Sequence, residues 1–229
     1  MKYLSFVMIL SAAAIQAQVP PPRPPSVQAS GDAVVSVKPD QVKIDIGVVT
    51  QAATAQAAAA QNAAQVQAVI TKLRPLVGAK GDIKTINYSV SPNYQFSKEG
   101  KRTINGFTAN NIVQVTSEDV DGIGKVIDAA GDAAANEIQR LQFLLKDEKA
   151  PRAQALRQAA IAARSNAEAM ASALGLKLGH VLMLDQGAPE IVHPVRTMAM
   201  SANARMETPI ESGAVEVHAT VTLTVALEQ

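Results

Sequence analysis

Residues 215–227 read Val215-Glu216-Val217-His218-Ala219-Thr220-Val221-Thr222-Leu223-Thr224-Val225-Ala226-Leu227. Odd positions are aliphatic or alanine, and even positions through Thr224 are polar. Successive side chains of a strand point to opposite faces, so this period of two predicts one strand with a buried face. The other face is left for water or a partner, and such clean alternation belongs to an antiparallel sheet. The same period appears near the start of the chain. Ala29, Gly31, Ala33, Val35 and Val37 alternate with Gln28, Ser30, Asp32 and Ser36, and Val42, Ile44, Ile46 and Val48 alternate again. Lys38-Pro39-Asp40 lies between these runs. Proline fixes its own φ and disfavours helix at Lys38, so a turn and a β-hairpin are expected there.

Between these strands the period changes. Thr54 can cap an alanine-rich helix running to about Leu73, with Asn62, Val66, Val69, Ile70, Leu73 and Val77 at helical spacing and Pro75 and Gly78 closing it. Residues 83–90 and 94–96 predict a strand bent at Pro92. A polar turn at 98–101 then leads into a returning strand through Phe107, Ala109, Asn111, Val113 and Val115. A short helix over 119–130 and a strand through Ile138, Leu141, Phe143 and Leu145 follow. A long helix spans about 151–174, with Pro151 in its first turn and Gly175 after its end. Its expected inner stripe is Leu156, Ala160, Ala163, Ala167, Met170, Ala171 and Leu174. Residues 181–184 predict a short strand. Residues 186–213 show no period and predict an irregular loop of unusual length. The fold class is α+β: a mainly antiparallel sheet or sheets, with two long alanine-rich helices and one shorter helix packed on one side.

Composition sets the address and excludes classes. Met1-Lys2, the apolar run from Tyr3 to Ile15, and Ile15-Gln16-Ala17 form the three-part layout of a secretory signal. The run is too short to span a bilayer, which takes about 20 residues. The predicted division is a signal peptide at 1–17, a Pro-rich spacer at 18–26 and one α+β domain at 27–229. Pro20-Pro21-Pro22-Arg23-Pro24-Pro25 favours stiff extended chain. Without Lys2, 20 of the 21 basic residues remain against 20 acidic ones. A neutral chain with no basic block lacks the charge footprint of a nucleic-acid binder. With no cysteine, the fold must be held by burial alone.

Five segments together resemble a known family. They are Val34-Val35-Ser36-Val37-Lys38-Pro39-Asp40, Asp82-Ile83-Lys84-Thr85, Ile104-Asn105-Gly106-Phe107-Thr108-Ala109-Asn110-Asn111, Gly124-Lys125-Val126-Ile127-Asp128-Ala129-Ala130, and Leu174-Gly175-Leu176-Lys177-Leu178-Gly179. Their order and spacing, over residues 27–227, are similar to the SIMPL-domain family. The resemblance implies a periplasmic protein of the immunogenic or oxidative-stress-defence type. It implies no agreed catalytic chemistry and no catalytic residue, and it includes a relative that forms a large hollow ring.

A search for chemistry supports a non-enzyme. There is no cysteine nucleophile, no Gly-x-Ser-x-Gly elbow and no phosphate-binding glycine loop. Asp119, Asp121, Asp147 and Glu148 lie where acids favour helix starts. No catalytic, cofactor-binding or metal residue is assigned. The expected function is an oligomeric, non-catalytic envelope protein with a structural, adaptor or stress-defence role. Its expected partners are its own copies, with another envelope protein as a second candidate, and no stable membrane insertion is expected. The alternative is a small-molecule or copper-binding module using the loop 180–206. There His180, His193, Met198, Met200 and Met206 supply the thioether and imidazole groups that suit Cu(I). Methionine also adapts to packing, and the apolar content of the loop makes it the expected assembly element.

Overall fold

The computed structural model describes residues 24–98, 100–188, 190–193, the backbone of 195–196, and 210–229. The signal-peptide segment 1–17 and residues 18–23 of the spacer lie outside them. The element order is β1 (Ser26–Val37), β2 (Gln41–Ala52), α1 (Ala55–Val77), β3 (Asp82–Phe96), β4 (Arg102–Ser117), α2 (Ile123–Asp132), β5 (Glu137–Leu144), α3 (Lys149–Ala173), β6 (Lys177–Gln186), β7 (Glu190–Val192), β8 (Val195–Arg196) and β9 (Val215–Glu228). The α+β class holds, and every strand pair is antiparallel. Among the described residues there are two sheets, α3 packing on one face of one and α1 and α2 on one face of the other.

The terminal sheet joins the two ends of the chain. Its order is β1-β9-β6, with β7 also pairing β9. Residues 215–227 form its central strand. Val215, Val217, Ala219, Val221, Leu223 and Val225 are buried, as their alternation predicts. α3 covers this buried face with an i, i+4 ridge of alanines at 155, 159, 163, 167 and 171. That ridge corrects the expected stripe: Leu156 and Ala160 are only partly buried, and Met170 and Leu174 are exposed. Small side chains let the helix axis approach the sheet, and the two larger ones fall on its flank. β1 begins at Ser26, and just before it the Pro25 carbonyl accepts from the Leu227 amide at 2.8 Å.

The central sheet has the order β3-β4-β2-β5-β8. Val42, Ile44, Ile46 and Val48 of β2 meet Val66, Val69, Leu73 and Val77 of α1 and the apolar face of α2. α1 runs through Pro75 to Val77, four residues past the expected end near Leu73, and Gly78 follows as its C-cap. Val77 is buried in the core, which favours keeping the last turn helical. Asn62 is fully buried in α1, and its amide donates to the Val48 carbonyl at 2.7 Å.

The expected β1–β2 hairpin does not form. β1 pairs with β9 while β2 pairs with β4 and β5. Lys38-Pro39-Asp40 carries the chain from one sheet to the other. Asp40 anchors that corner, its amide donating to the Leu144 carbonyl at 3.2 Å and its carboxylate accepting from the Lys146 amide at 2.7 Å. Residues 145–148 make the opposite crossing, from β5 to α3. The segment expected to be an irregular loop contains two short strands: β7 pairs with β9, and β8 reaches β5. Backbone groups that must be satisfied at sheet edges account for both short strands. Residues 197–209 of the loop lie outside the described residues.

Candidate interaction surfaces

β3 and β4 form an arm that outruns the rest of its sheet. β2 ends at Ala52, paired with Phe107, whereas β3 and β4 continue to the pair Phe96–Arg102. Gly106 stands at the departure point with φ 96°, and a side chain there would crowd the Ala52 carbonyl. Only glycine adopts that backbone readily. Beyond it the ribbon has two strands, closed by a turn in which Ser97 accepts from Gly100 and Lys101. The pairs Tyr94–Ile104 and Phe96–Arg102 place these four side chains on one face. All are exposed, Phe96 to 67%. The Arg102 guanidinium lies 3.3 Å from the Tyr94 ring centroid, a cation–π stack. Of seven aromatic residues in the chain, Tyr3 and Phe6 precede residue 18, and four of the other five lie on β3 and β4. Aromatic side chains so placed contribute little to the core and are enriched at interfaces.

The second surface is on the terminal sheet. β6 is an edge strand, and its Val181, Leu182, Met183 and Leu184 are all exposed. No helix or strand among the described residues covers the sheet face opposite α3. Register puts Met183, Asp185, Glu190 and Val192 there beside the polar row of β9, with Asp32 and Val34 from β1. Thr220 donates to Asp32 at 2.6 Å, and His218 lies 3.3 Å from Glu216. The one lysine in outward register in these paired segments, Lys177, lies at the far end of β6 opposite Glu228.

The residues considered for chemistry are dispersed. His180 is exposed on β6, His218 lies on the open face of β9, and His193 sits 3.9 Å from Glu148 at the start of α3. Arg152 already holds that glutamate at 2.7 Å. Met198, Met200 and Met206 lie outside the described residues. No group of three or more metal-binding acids, histidines or cysteines converges among the described residues. Asp147 accepts from the Lys149 amide and Asp119 from the Gly122 amide, the local helix-start role expected of them. A notch of about 260 Å³ at the end of α1 is lined by Arg74, Val77, Gly78, Gly81, Asp82 and Ile83. It is smaller than the usual ligand cleft of about 300–1,000 Å³.

One charge cluster braces the crossing between the sheets. Lys146 pairs closely with Glu118, whose other oxygen lies 3.7 Å from Lys80, and Lys38 lies 3.6 Å from Asp121. The hydrogen bond from Lys146 holds the Glu118 carboxyl below its ordinary range, and the same bond raises the Lys146 ammonium. Both groups are open to solvent, so the cluster reads as a brace. The arm leaves a signal in the sequence. Ile86, Tyr88, Val90, Tyr94 and Phe96 alternate with polar residues, while no apolar helix face remains to cover them.

Comparison with known proteins matches residues 27–225 to the family model SIMPL, described as a protein of unknown function (DUF541). The chain is 32% identical over 174 residues to the uncharacterized protein YggE of Edwardsiella ictaluri, covering 74% of this chain and 71% of that protein. It is 31% identical over 178 residues to YggE of Escherichia coli K12, with 78% and 72% covered. The 26 kDa periplasmic immunogenic protein of Brucella melitensis is 22% identical over 201 residues, with 83% and 80% covered.

Proposed function

The chain belongs to the SIMPL family, and from that premise we propose that it is an exported, non-catalytic protein of the bacterial cell envelope that works as an oligomer in a structural or adaptor role. The observation that carries this reading is the run Val181-Leu182-Met183-Leu184, exposed on an edge strand. A strand edge offers unpaired backbone groups, and proteins normally blunt such edges with charge or cover them. Four consecutive exposed apolar residues fit burial against another chain. The periplasmic address is supported by the secretory layout of residues 1–17 and by the name of the Brucella relative. No helix among the described residues is long and apolar enough to cross a membrane.

Light-scattering mass of the purified protein tests the reading. A multimer at tens of micromolar is expected, falling to monomer in Leu182→Asp/Leu184→Asp with an unchanged circular-dichroism spectrum. A parent protein that is monomeric across that range refutes it.

A further inference from the structure

We propose that the tip of the β3–β4 arm of one copy docks on the open face and β6 edge of the terminal sheet of a second copy, joining copies head to tail. This rests on the oligomeric reading and names the contact behind it.

Both surfaces present apolar side chains that no element among the described residues covers. The tip presents Tyr94, Phe96 and Ile104, and the receiving surface presents Met183 and Val192 beside the exposed β6 run. The arm makes no broad contact with the terminal sheet of its own chain among the described residues. A two-stranded ribbon is marginal by itself in water, so an arm with an apolar face gains most by lying on something.

Charge selects the occupant. The tip carries Lys98, Lys101 and Arg102 against one acid, Glu99. The open face carries Asp32, Asp185, Glu190 and Glu216, and its one outward lysine, Lys177, is paired across the strands with Glu228 at the far end of β6. Tip against tip would gather cations around the aromatic face, and face against face would gather carboxylates. Either like pairing is repulsive, whereas tip against face brings opposite charges around an apolar centre. Two different patches that fit each other make a heterologous contact, which propagates from copy to copy.

The test uses two variants of the full protein, altered only at exposed positions. The tip variant is Phe96→Ser/Lys101→Glu/Arg102→Glu. The face variant is Met183→Ser/Asp185→Lys/Glu190→Lys. Circular dichroism and thermal melting check that each is folded. Each alone should be monomeric where the parent is multimeric. Mixed one to one, they should give a species of two chains and nothing larger, because the mixture retains one intact tip and one intact face. The milder Lys101→Ala and Glu190→Ala should each weaken assembly of the parent several-fold, which keeps the test open if a triple variant fails to fold. Variants that retain the parental mass, or a mixture that stays monomeric beside a multimeric parent, overturn the proposal and leave the oligomeric reading standing. A monomeric parent overturns both. Parent protein that binds anionic phospholipid vesicles through the tip, with no two-chain species in the mixture, assigns the tip to a lipid surface and likewise overturns the proposal.

Discussion

Gly31 shows how one residue sets the distance between layers. Its place in the alternating run 29–37 made it readable as a strand residue facing inward. Why it had to be glycine was not readable, because the reason lies in α3, some 130 positions away. A methyl group there would overlap the backbone of Ala159 and Ala163. Gly31→Ala must therefore push the helix from the sheet, and overpacking of this kind costs about 1–3 kcal/mol. Chemical denaturation should show that loss, and a variant as stable as the parent would mean that α3 is not seated so closely. The Glu118–Lys146 pair makes a different prediction. The carboxyl is depressed, so its contribution to stability is present above its unfolded value and fades as pH falls through the folded one. The ammonium is raised, so its contribution is present below its unfolded value and fades as pH rises through the folded one. The pair therefore acts between the ordinary glutamate and lysine ranges. Lys146→Met should flatten the acid limb of the stability profile, and an acid limb identical to that of the parent would show that the brace contributes nothing. The pairing joins residues 28 positions apart, so no local pattern announced it.

At the level of elements, period and capping chemistry located the helices and longer strands to within a few residues. They did not say which strands pair. The β1–β2 hairpin failed because Pro39-Asp40 suits a tight turn and a crossing between sheets equally well. What decides is the Asp40 anchor to Leu144 and Lys146, formed only once β5 is in place. The arm illustrates a second gap. Alternation in β3 gave its face but not its surroundings, and its far end faces solvent because β2 stops at Ala52. An arm that leaves the core untouched should be removable. Replacing residues 95–103 by Asn-Gly joins Tyr94 to Ile104 through a two-residue hairpin turn. In the monomeric face variant Met183→Ser/Asp185→Lys/Glu190→Lys, where no neighbouring copy adds to stability, the change should be no more than about 0.5 kcal/mol, as at surface sites remote from packing. A marked fall in the melting midpoint would show that the tip packs on its own chain.

The described residues form two cores, one between α3 and the terminal sheet and one between α1, α2 and the central sheet. Broad packing among the described residues stays within one core or the other. The chain nevertheless crosses between them at 38–40, at 145–148, between β7 and β8, and again before β9. The sequence carried the α+β class but not this division, since both halves draw on the same aliphatic and alanine vocabulary. β9 holds the key position: it pairs with β1 on one side and with β6 and β7 on the other. Val221 lies in its buried row, opposite Gly31. Val221→Asp would place an unpaired carboxylate in that core, a severe change, whereas Thr222→Asp on the open face should be mild. Separate cores predict where the damage goes. Hydrogen exchange of Val221→Asp should show amides of β1, β6 and α3 losing protection first, while β2 and β4 keep much of theirs, as in sub-global opening. The tight crossings oppose this by tying each core to the ends of the other, so some loss at residues 41–44 and 142–144 is expected. Equal loss of protection throughout β2 and β4 would show that the crossings make the two cores one cooperative unit. A Thr222→Asp variant that unfolds while Val221→Asp stays intact would show that the faces of β9 are reversed.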